Sequence, residues 1–354
     1  MGRAVKIDGQ TGCKNQVAGA YLGAMRALLI SMFVSLWAHA AVAEPAAPMV
    51  CSDDSCTFEK PITAAERKVL DKRTDRDTLR LISSGDVNAA QLKSLPPWVT
   101  SVELSCRQTR CPKLKDLAPL GKLTKIRRLE VAGAEVTNLG PLAKLPLLDE
   151  LLIDNTDVTD LGPLARLSSL RKLSMEGLKV QNLEGLRPLT GLTELDIRFI
   201  KVSDFSPLGA LIHLERLSSD GVNDSSVFAG MADLAYLSLW GASGLKDLSG
   251  LAHLAKLKEL TVTDAPITDL TPLADAKLLI RLHLERTKVT SLDPIAKLTA
   301  LSMVNLDGTP ITDFTPLVAS ASAIWAFTVS KDTPPAAYAA LLRRNPKLEV
   351  RRGR

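Results

Sequence analysis

Leu260-Thr-Val-Thr-Asp-Ala-Pro-Ile-Thr-Asp-Leu-Thr-Pro-Leu273 is the clearest copy of a pattern that recurs along the chain. The apolar position of Leu260 returns at a nearly constant interval, at Leu129, Leu151, Leu173, Leu195, Leu217, Leu237, Leu260, Leu282, Val304 and Ala326. The interval is 22 residues, except for one step of 20 and one of 23. A phase held over about 200 residues indicates a repeat protein, in which each unit stacks on its neighbours.

Each unit predicts a short strand followed by a short helical turn. The Leu-x-apolar segment has a period of two, which places both apolar side chains on the inner face of a strand. Downstream, a polar residue able to accept hydrogen bonds from the free amides of a helix start precedes the next leucine, at Asn138, Asp160, Asn182, Asp204, Asp247, Asp269, Ser291 and Asp313. Proline, which suits a first helical turn, follows in six units at Pro141, Pro163, Pro207, Pro272, Pro294 and Pro316. Gly185 and Gly250 take its place in two units, and we expect the helical turns to be 3₁₀.

These runs, together with Leu306-Asp-Gly-Thr-Pro-Ile-Thr-Asp-Phe-Thr-Pro-Leu317, resemble the bacterial internalin-like class of leucine-rich-repeat proteins. The resemblance covers about residues 99–330 and implies an α/β solenoid with a concave parallel β-sheet, a convex side of short 3₁₀ helices and a small helical N-terminal cap. It also implies protein–protein recognition. The family often places asparagine after the strand, whereas this chain has Ala134, Thr156, Leu178, Ile200, Ala265, Thr287 and Thr309 there. We expect threonine to substitute in part.

Both ends of the solenoid need caps, which we place at residues 44–98 and 331–354. Thr63-Ala-Ala-Glu66 has the form of a capping box, so it predicts a helix that carries Val69 and Leu70. We expect a second helix through Leu79 and Ile82 that ends at Gly85, and a first strand at Val102-Glu-Leu104. At the other end, Thr333-Pro-Pro predicts a helix through Tyr338, Leu341 and Leu342, with a last strand at Leu348-Glu-Val350.

The N-terminus has the order of a secretory signal peptide. Arg26 precedes an apolar run of eleven residues, 27–37, and Ala41-Val-Ala43 forms a small-x-small cleavage site. A membrane span needs about 20 residues, so we expect cleavage of residues 1–43 rather than an anchoring helix. Translation starting at Met25 would give a compact signal. The expected location is the periplasm or the exterior of a Gram-negative bacterium, with no membrane segment in the mature chain.

Four cysteines follow this signal, in two pairs with the same spacing: Cys51 with Cys56, and Cys106 with Cys111. An even number in an exported chain favours disulfides. Three pairings are possible, and we favour the two local ones. A four-thiolate zinc site is the alternative, although its paired ligands are usually spaced more closely.

Composition favours a folded globular chain and excludes disorder. Of 354 residues, 46% are hydrophobic and 4% aromatic, and 44 bases face 39 acids for a formal charge of +5. Without residues 1–43 the balance is 40 bases to 38 acids. Such a balance does not indicate nucleic-acid binding.

In a parallel sheet, the outward side chains of successive strands form columns about 4.8 Å apart. The first column alternates in charge from Arg128 to Arg216, which predicts a ladder of exposed ion pairs. The residue types that dominate binding interfaces are Trp, Tyr and Arg. We therefore predict a binding patch on this concave face, consisting of Tyr236, Trp240, Arg216, Arg198, Asp220, Glu259 and His283. Trp240 packed against its irregular neighbouring repeat is the alternative. Met303, Trp325 and Phe327 form a second apolar group, which the C-terminal helix could cover.

The sequence shows no pattern typical of a catalytic site, a catalytic metal site or a phosphate-binding loop. His283 is the one histidine of the mature chain expected on the concave face, between Thr261 and Asn305. We therefore predict an exported, non-enzymatic module that binds a protein partner as a monomer, without a metal or cofactor. The alternatives are an envelope assembly protein, a glycan binder and a hydrolase of unfamiliar type around His283.

Overall fold

One sheet of fifteen strands runs through the residues that this computed structural model describes, namely 49–52, 55–58, 60–73, 80–83, 88–105 and 114–353. The strands lie in chain order, so each repeat adds one strand beside the last. The first pair is antiparallel and the later pairs are parallel. The strands are β1 Val50–Cys51, β2 Ser55–Thr57, β3 Arg80–Ser83, β4 Ser101–Ser105, β5 Arg128–Ala132, β6 Glu150–Leu152, β7 Lys172–Ser174, β8 Glu194–Ile197, β9 Arg216–Asp220, β10 Tyr236–Trp240, β11 Glu259–Val262, β12 Arg281–His283, β13 Met303–Leu306, β14 Ala326–Val329 and β15 Glu349–Arg352.

The repeated leucines form a continuous buried core, as the repeat pattern predicts. Leu151 pairs in register with Leu129 on one side and with Leu173 on the other. All three side chains are at most 1% exposed. Full burial of one such side chain stabilises the fold by about 1.5–3 kcal/mol. No single repeat can bury its own leucines, so the stacking of repeats is what stabilises the fold.

Short 3₁₀ helices return the chain on the convex side, which confirms the predicted turn chemistry. The Asp160 carboxylate accepts the Gly162 N–H at 2.8 Å, and the Asp313 carboxylate accepts the Thr315 N–H at 2.8 Å. Each satisfies an amide that the turn leaves free. The 3₁₀ helices span Ala118–Lys122, Gly140–Lys144, Gly162–Arg166, Glu184–Leu186, Ser206–Ala210, Ser225–Phe228, Ser249–Leu251, Thr271–Leu273, Asp293–Ile295, Thr315–Ser320 and Pro335–Tyr338.

Threonine partly replaces the asparagine that the family places after the strand. The hydroxyls of Thr156, Thr287 and Thr309 each donate to the carbonyl three residues earlier, at 2.8, 3.0 and 2.7 Å. All three threonines are buried. Each hydroxyl therefore has a hydrogen-bond partner inside the turn, where water cannot reach it.

The described residues of the N-terminal region form two helices, α1 Ala64–Leu70 and α2 Ala89–Ser94, and α1 begins with the predicted capping box. The helix predicted through Leu79 and Ile82 is wrong, because Arg80–Ser83 is strand β3, paired between β2 and β4; Leu79 lies outside the described residues. Val102–Leu104 likewise belongs to the fourth strand rather than the first. Spacing i, i+3 permits a helix, but a strand here covers the edge of β4 that would otherwise stay open.

The local cysteine pairing is confirmed for the first pair only. A disulfide joins Cys51 to Cys56 across the β1–β2 hairpin at the first edge of the sheet. The sulfurs are bonded to each other, so this pair does not contribute to a thiolate zinc site. Cys106 and Cys111 lie outside the described residues.

At the C-terminus, α3 Ala339–Arg344 and strand β15 confirm the predicted helix and last strand. The register predicted for the preceding strand is wrong by one residue, because Val304 pairs with Phe327 and not with Ala326. The 3₁₀ helix before it is long enough to absorb one more residue, and inward Phe327 buries far more apolar surface than Ala326 would. Phe327 makes edge-to-face contact with Phe314, at 5.4 Å between ring centroids.

Candidate functional site

The concave face consists of the outward side chains of β4–β13 and of the residues directly after these strands. Its first column forms the predicted ladder of ion pairs in one half: Arg128 pairs with Glu150, and Lys172 lies between Glu150 and Glu194 at 3.4 and 3.5 Å. Glu259 of the predicted patch pairs with Arg281 in the other half. Exposed pairs of this kind contribute less than about 1 kcal/mol each.

The aromatic residues of the predicted binding patch lie where this ladder of ion pairs ends. Arg216 is the last charge of the alternating series, and its guanidinium lies over the Tyr236 ring at 3.8 Å from the centroid. Trp240 is the last residue of β10, the strand of Tyr236, and keeps 45% of its surface exposed. A large exposed indole in a chain with few aromatic residues is typical of a contact surface.

Arg198 and Asp220 have local partners as well as a place on the face. The Arg198 guanidinium binds the carboxylates of Asp196 and Glu176, both at 2.8 Å. The Asp220 carboxylate accepts the backbone N–H of Phe199 at 2.6 Å, and Asp220 pairs in register with Trp240. Asp220 thus lies between Phe199 and Trp240 and holds the turn that presents Phe199.

Phe199 is the residue of this site that the sequence pattern missed. One turn position, one to three residues after the strand, has a positive φ in nine consecutive repeats, at Gly133, Asn155, Gly177, Phe199, Gly221, Gly241, Asp264, Arg286 and Gly308. Glycine and asparagine tolerate this conformation, whereas a bulky side chain is strained there. Phe199 adopts it at φ 58° and leaves 64% of its surface exposed. A phenylalanine at a periodic glycine position was the available signal.

The Phe199 ring borders a shallow groove of about 310 Å³. Gly177, Leu178, Lys179, Val180, Gln181 and Lys201 line the rest of it. Strained, exposed residues cluster at binding sites, where the surrounding structure maintains the strain. Asp220 binds the Phe199 N–H and pairs in register with Trp240. We call these three residues, at the carboxyl ends of three adjacent strands, the aromatic row.

His283 lies on β12 between Thr261 and Asn305, as predicted. Burial lowers its pKa, and the nearby carboxylates of Glu285 and Glu259 oppose this shift in part. The imidazole is therefore neutral at pH 7. Within the described ranges, no three His, Cys, Asp or Glu side chains converge into a group that could hold a metal ion.

Two glutamates on the face have raised pKa values although each pairs with an arginine, Glu130 with Arg128 at 3.1 Å and Glu176 with Arg198 at 2.8 Å. The pKa of Glu130 is raised by burial and by the charge of Glu103. Burial raises the pKa of Glu176 in the same way, and neighbouring aspartates add to this shift although Arg198 opposes it. Burial is the main cause of both shifts, and neighbouring carboxylates add to it.

The second apolar group does not form a surface. Phe327 is fully buried, because the corrected register turns it inward, and Trp325 lies before β14 rather than in a concave column. Trp325 keeps 56% of its surface exposed.

Among the residues that the structure describes, no helix combines the length and the apolar character needed to cross a bilayer.

Solved structures with the same architecture come from bacteria and plants. An internalin of Listeria monocytogenes is 20% identical, with 80% of this chain and 92% of that chain covered at a TM-score of 0.63. A leucine-rich-repeat protein of Leptospira interrogans is 15% identical, with 83% and 100% covered at 0.54. The chain has a leucine-rich-repeat fold. No protein-family model and no curated protein matches the sequence.

The leucine-rich-repeat ectodomain of a membrane receptor kinase of Arabidopsis thaliana is a further neighbour, 16% identical with a TM-score of 0.58. The match covers 83% of this chain and 36% of that chain, whose structure is a complex with Casparian strip integrity factor 2. At these identities the likeness establishes the fold. Every predicted patch residue lies on the concave face of this leucine-rich-repeat solenoid.

Proposed function

We propose that this protein is an exported, non-enzymatic binding module that recognises a protein partner through its concave face. The observation that carries the proposal is Trp240, which stands 45% exposed on an open sheet face beside the Arg216–Tyr236 stack. Aromatic and arginine side chains supply most of the binding energy at protein interfaces. The receptor ectodomain in complex with Casparian strip integrity factor 2 supports the use of such a solenoid for binding.

The fold alone does not decide the function. Support for the recognition role comes from the site, where a strained Phe199, an exposed Trp240 and a stacked arginine lie on adjacent strands. A buried core maintains this face whether or not a partner is present, so binding requires little ordering of the protein. A surface that is already ordered retains more of its contact energy as affinity.

Affinity capture from bacterial envelope extract tests the recognition role. The wild-type protein and Trp325→Ala are expected to retain the same proteins, because Trp325 is an exposed tryptophan outside the concave columns. Trp240→Ala and Tyr236→Ala are expected to lose them, since truncating a central aromatic residue costs about 2 kcal/mol or more of binding free energy. Retention of every captured protein by both concave variants would contradict the proposal.

Export is a separate part of the proposal, supported by the N-terminal pattern and by the Cys51–Cys56 disulfide. Mass spectrometry of the protein recovered from the periplasm or medium of an expressing Gram-negative bacterium should find an N-terminus at Glu44. An uncleaved chain in the cytoplasmic fraction would contradict export and leave the recognition role to the capture experiment.

A further inference from the structure

The aromatic row borders a part of the concave face that carries an excess of negative charge. In the second and third columns over β4–β9, the charged side chains are six acids and one base: Glu103, Glu130, Asp154, Glu176, Asp196, Asp220 and Arg198. The first column of the same strands alternates in sign and is nearly neutral. The negative charge is thus confined to the side of the face where Phe199 and Trp240 lie.

Local partners neutralise this charge only in part. Arg198 serves both Asp196 and Glu176, Arg128 of the first column binds Glu130 at 3.1 Å, and Glu103 is buried. Asp154 accepts the Ser174 hydroxyl at 2.6 Å and the Glu176 N–H at 2.8 Å, and these donors bring no positive charge. The Phe199 N–H that binds Asp220 is neutral in the same way. A partner that brings cations to this side would gain attraction without displacing an existing ion pair at Asp154 or Asp220.

We propose that the occupant of the concave face is an extended basic segment of a polypeptide, with arginine or lysine side chains over these carboxylates and an apolar side chain against Phe199 and Trp240. This inference rests on the proposed function and specifies the chemistry of its partner. The six strand intervals from β4 to β10 span about 29 Å, which an extended segment of about nine residues covers.

The net charge of the chain would not by itself produce a preference for a basic segment. Without residues 1–43 the chain has 40 bases and 38 acids and is slightly positive, so undirected electrostatic attraction would not favour a basic partner. A preference for a basic segment has to come from the local field of the concave face. Such a field acts on exposed charges within about 10 Å at moderate salt, so the attraction weakens as salt is added.

Fluorescence anisotropy with two matched probes tests the proposal. The basic probe is a fluorescein-labelled nine-residue peptide that alternates arginine and serine and ends in leucine, and the acidic probe has glutamate in place of arginine. The full-length mature protein is expected to bind the basic probe at least about tenfold more tightly, and to lose that preference at high salt. Equal binding of both probes, or tighter binding of the acidic one, would overturn the proposal.

Charge variants locate the binding site. Glu130→Gln with Glu176→Gln keeps the side-chain shape and should weaken binding of the basic probe by about tenfold. The control is Glu184→Gln with Asp233→Asn, which removes two exposed carboxylates that make ion pairs away from the concave face. The control should bind as the wild type does. Equal effects of the two double variants would also overturn the proposal.

The two proposals fail in different ways. Capture of partners that Trp240→Ala abolishes, combined with no preference for the basic probe, would retain the recognition role and remove the basic chemistry. Capture that no concave variant affects would remove the recognition role itself. Circular dichroism of each variant confirms that a loss of binding is not a loss of fold.

Discussion

Phe199 occupies a backbone conformation that glycine holds in five of the nine repeats with a positive φ at this position. For a residue with a Cβ, this conformation costs about 1–2 kcal/mol. Its exposed ring gives up little packing if it is removed. We therefore expect Phe199→Gly to raise the free energy of unfolding by about 1 kcal/mol. Urea denaturation measures it, with Phe199→Ala as the control that keeps the Cβ and the strain. Equal stability of the two variants would show that the backbone is not strained.

Gly250 is required for a different reason, a close approach between neighbouring repeats. A Cβ at Gly250 would lie 1.8 Å from the Ser225 carbonyl oxygen, so the two turns would have to separate. We expect Gly250→Ala to lower the free energy of unfolding by about 1–3 kcal/mol. Gly209→Ala is the matched control, because a Cβ there meets nothing nearer than 3.9 Å. Urea unfolding of both variants checks this, and similar midpoints would contradict it.

At the scale of the element, the turns share an electrostatic feature with a pH signature. The hydroxyl and N–H groups of Thr271 lower the pKa of Asp269, and the N–H and hydroxyl groups of Thr315 lower that of Asp313. A carboxyl with a lowered pKa in the folded state stabilises the fold above its ordinary value of 3.8, and this contribution is lost as the pH falls through the folded pKa. The double variant Asp269→Asn with Asp313→Asn should therefore lose less free energy of unfolding than the wild type as the pH falls below 3.8.

Glu130 provides the comparison of opposite sign. Its folded pKa lies above the ordinary value of 4.5, so protonation favours the fold, and that contribution is lost as the pH rises through the folded pKa. Glu130→Gln should accordingly be more stable than the wild type at pH 7. The double variant Asp269→Asn with Asp313→Asn should be less stable than the wild type at that pH. Urea midpoints from pH 3 to pH 7 measure both. A shift of the same sign for the two variants at pH 7 would contradict the assignment.

The sequence pattern predicted the repeated elements well because each strand and turn has its own chemical signature. Leucine periodicity located the strands, and the residue before each leucine located the turns. The pattern failed at Phe327, where spacing alone could not tell which of two adjacent apolar residues turns inward. It failed at Arg80–Ser83, since a strand defined by pairing with its neighbours needs no repeat signature of its own. Phe199 was missed because the sign of φ leaves no trace in hydrophobic periodicity.

At the scale of the whole molecule, an open solenoid must protect the two edges of its sheet. The first edge is β1, only two residues long and tied to β2 by the disulfide. The last edge is β15, where Arg351 and Arg352 are exposed. Short strands and charged edge strands resist pairing with another chain. Strand pairing at either edge is therefore disfavoured, which is compatible with the proposed use of the concave face.

We therefore expect the wild-type protein to be a monomer, and the variant Arg351→Val with Arg352→Val to associate as its concentration rises. Removing two charges turns β15 into an apolar edge that can pair with its copy in a second molecule. Lys144→Val with Arg166→Val removes the same charge from convex turns and should remain monomeric. Size-exclusion chromatography with light scattering measures the mass of each. A wild-type dimer would instead favour an assembly role, because a surface used for stable self-association would then already be present. A monomer that associates only when its edge charges are removed would show that these charges keep β15 from pairing with a second copy.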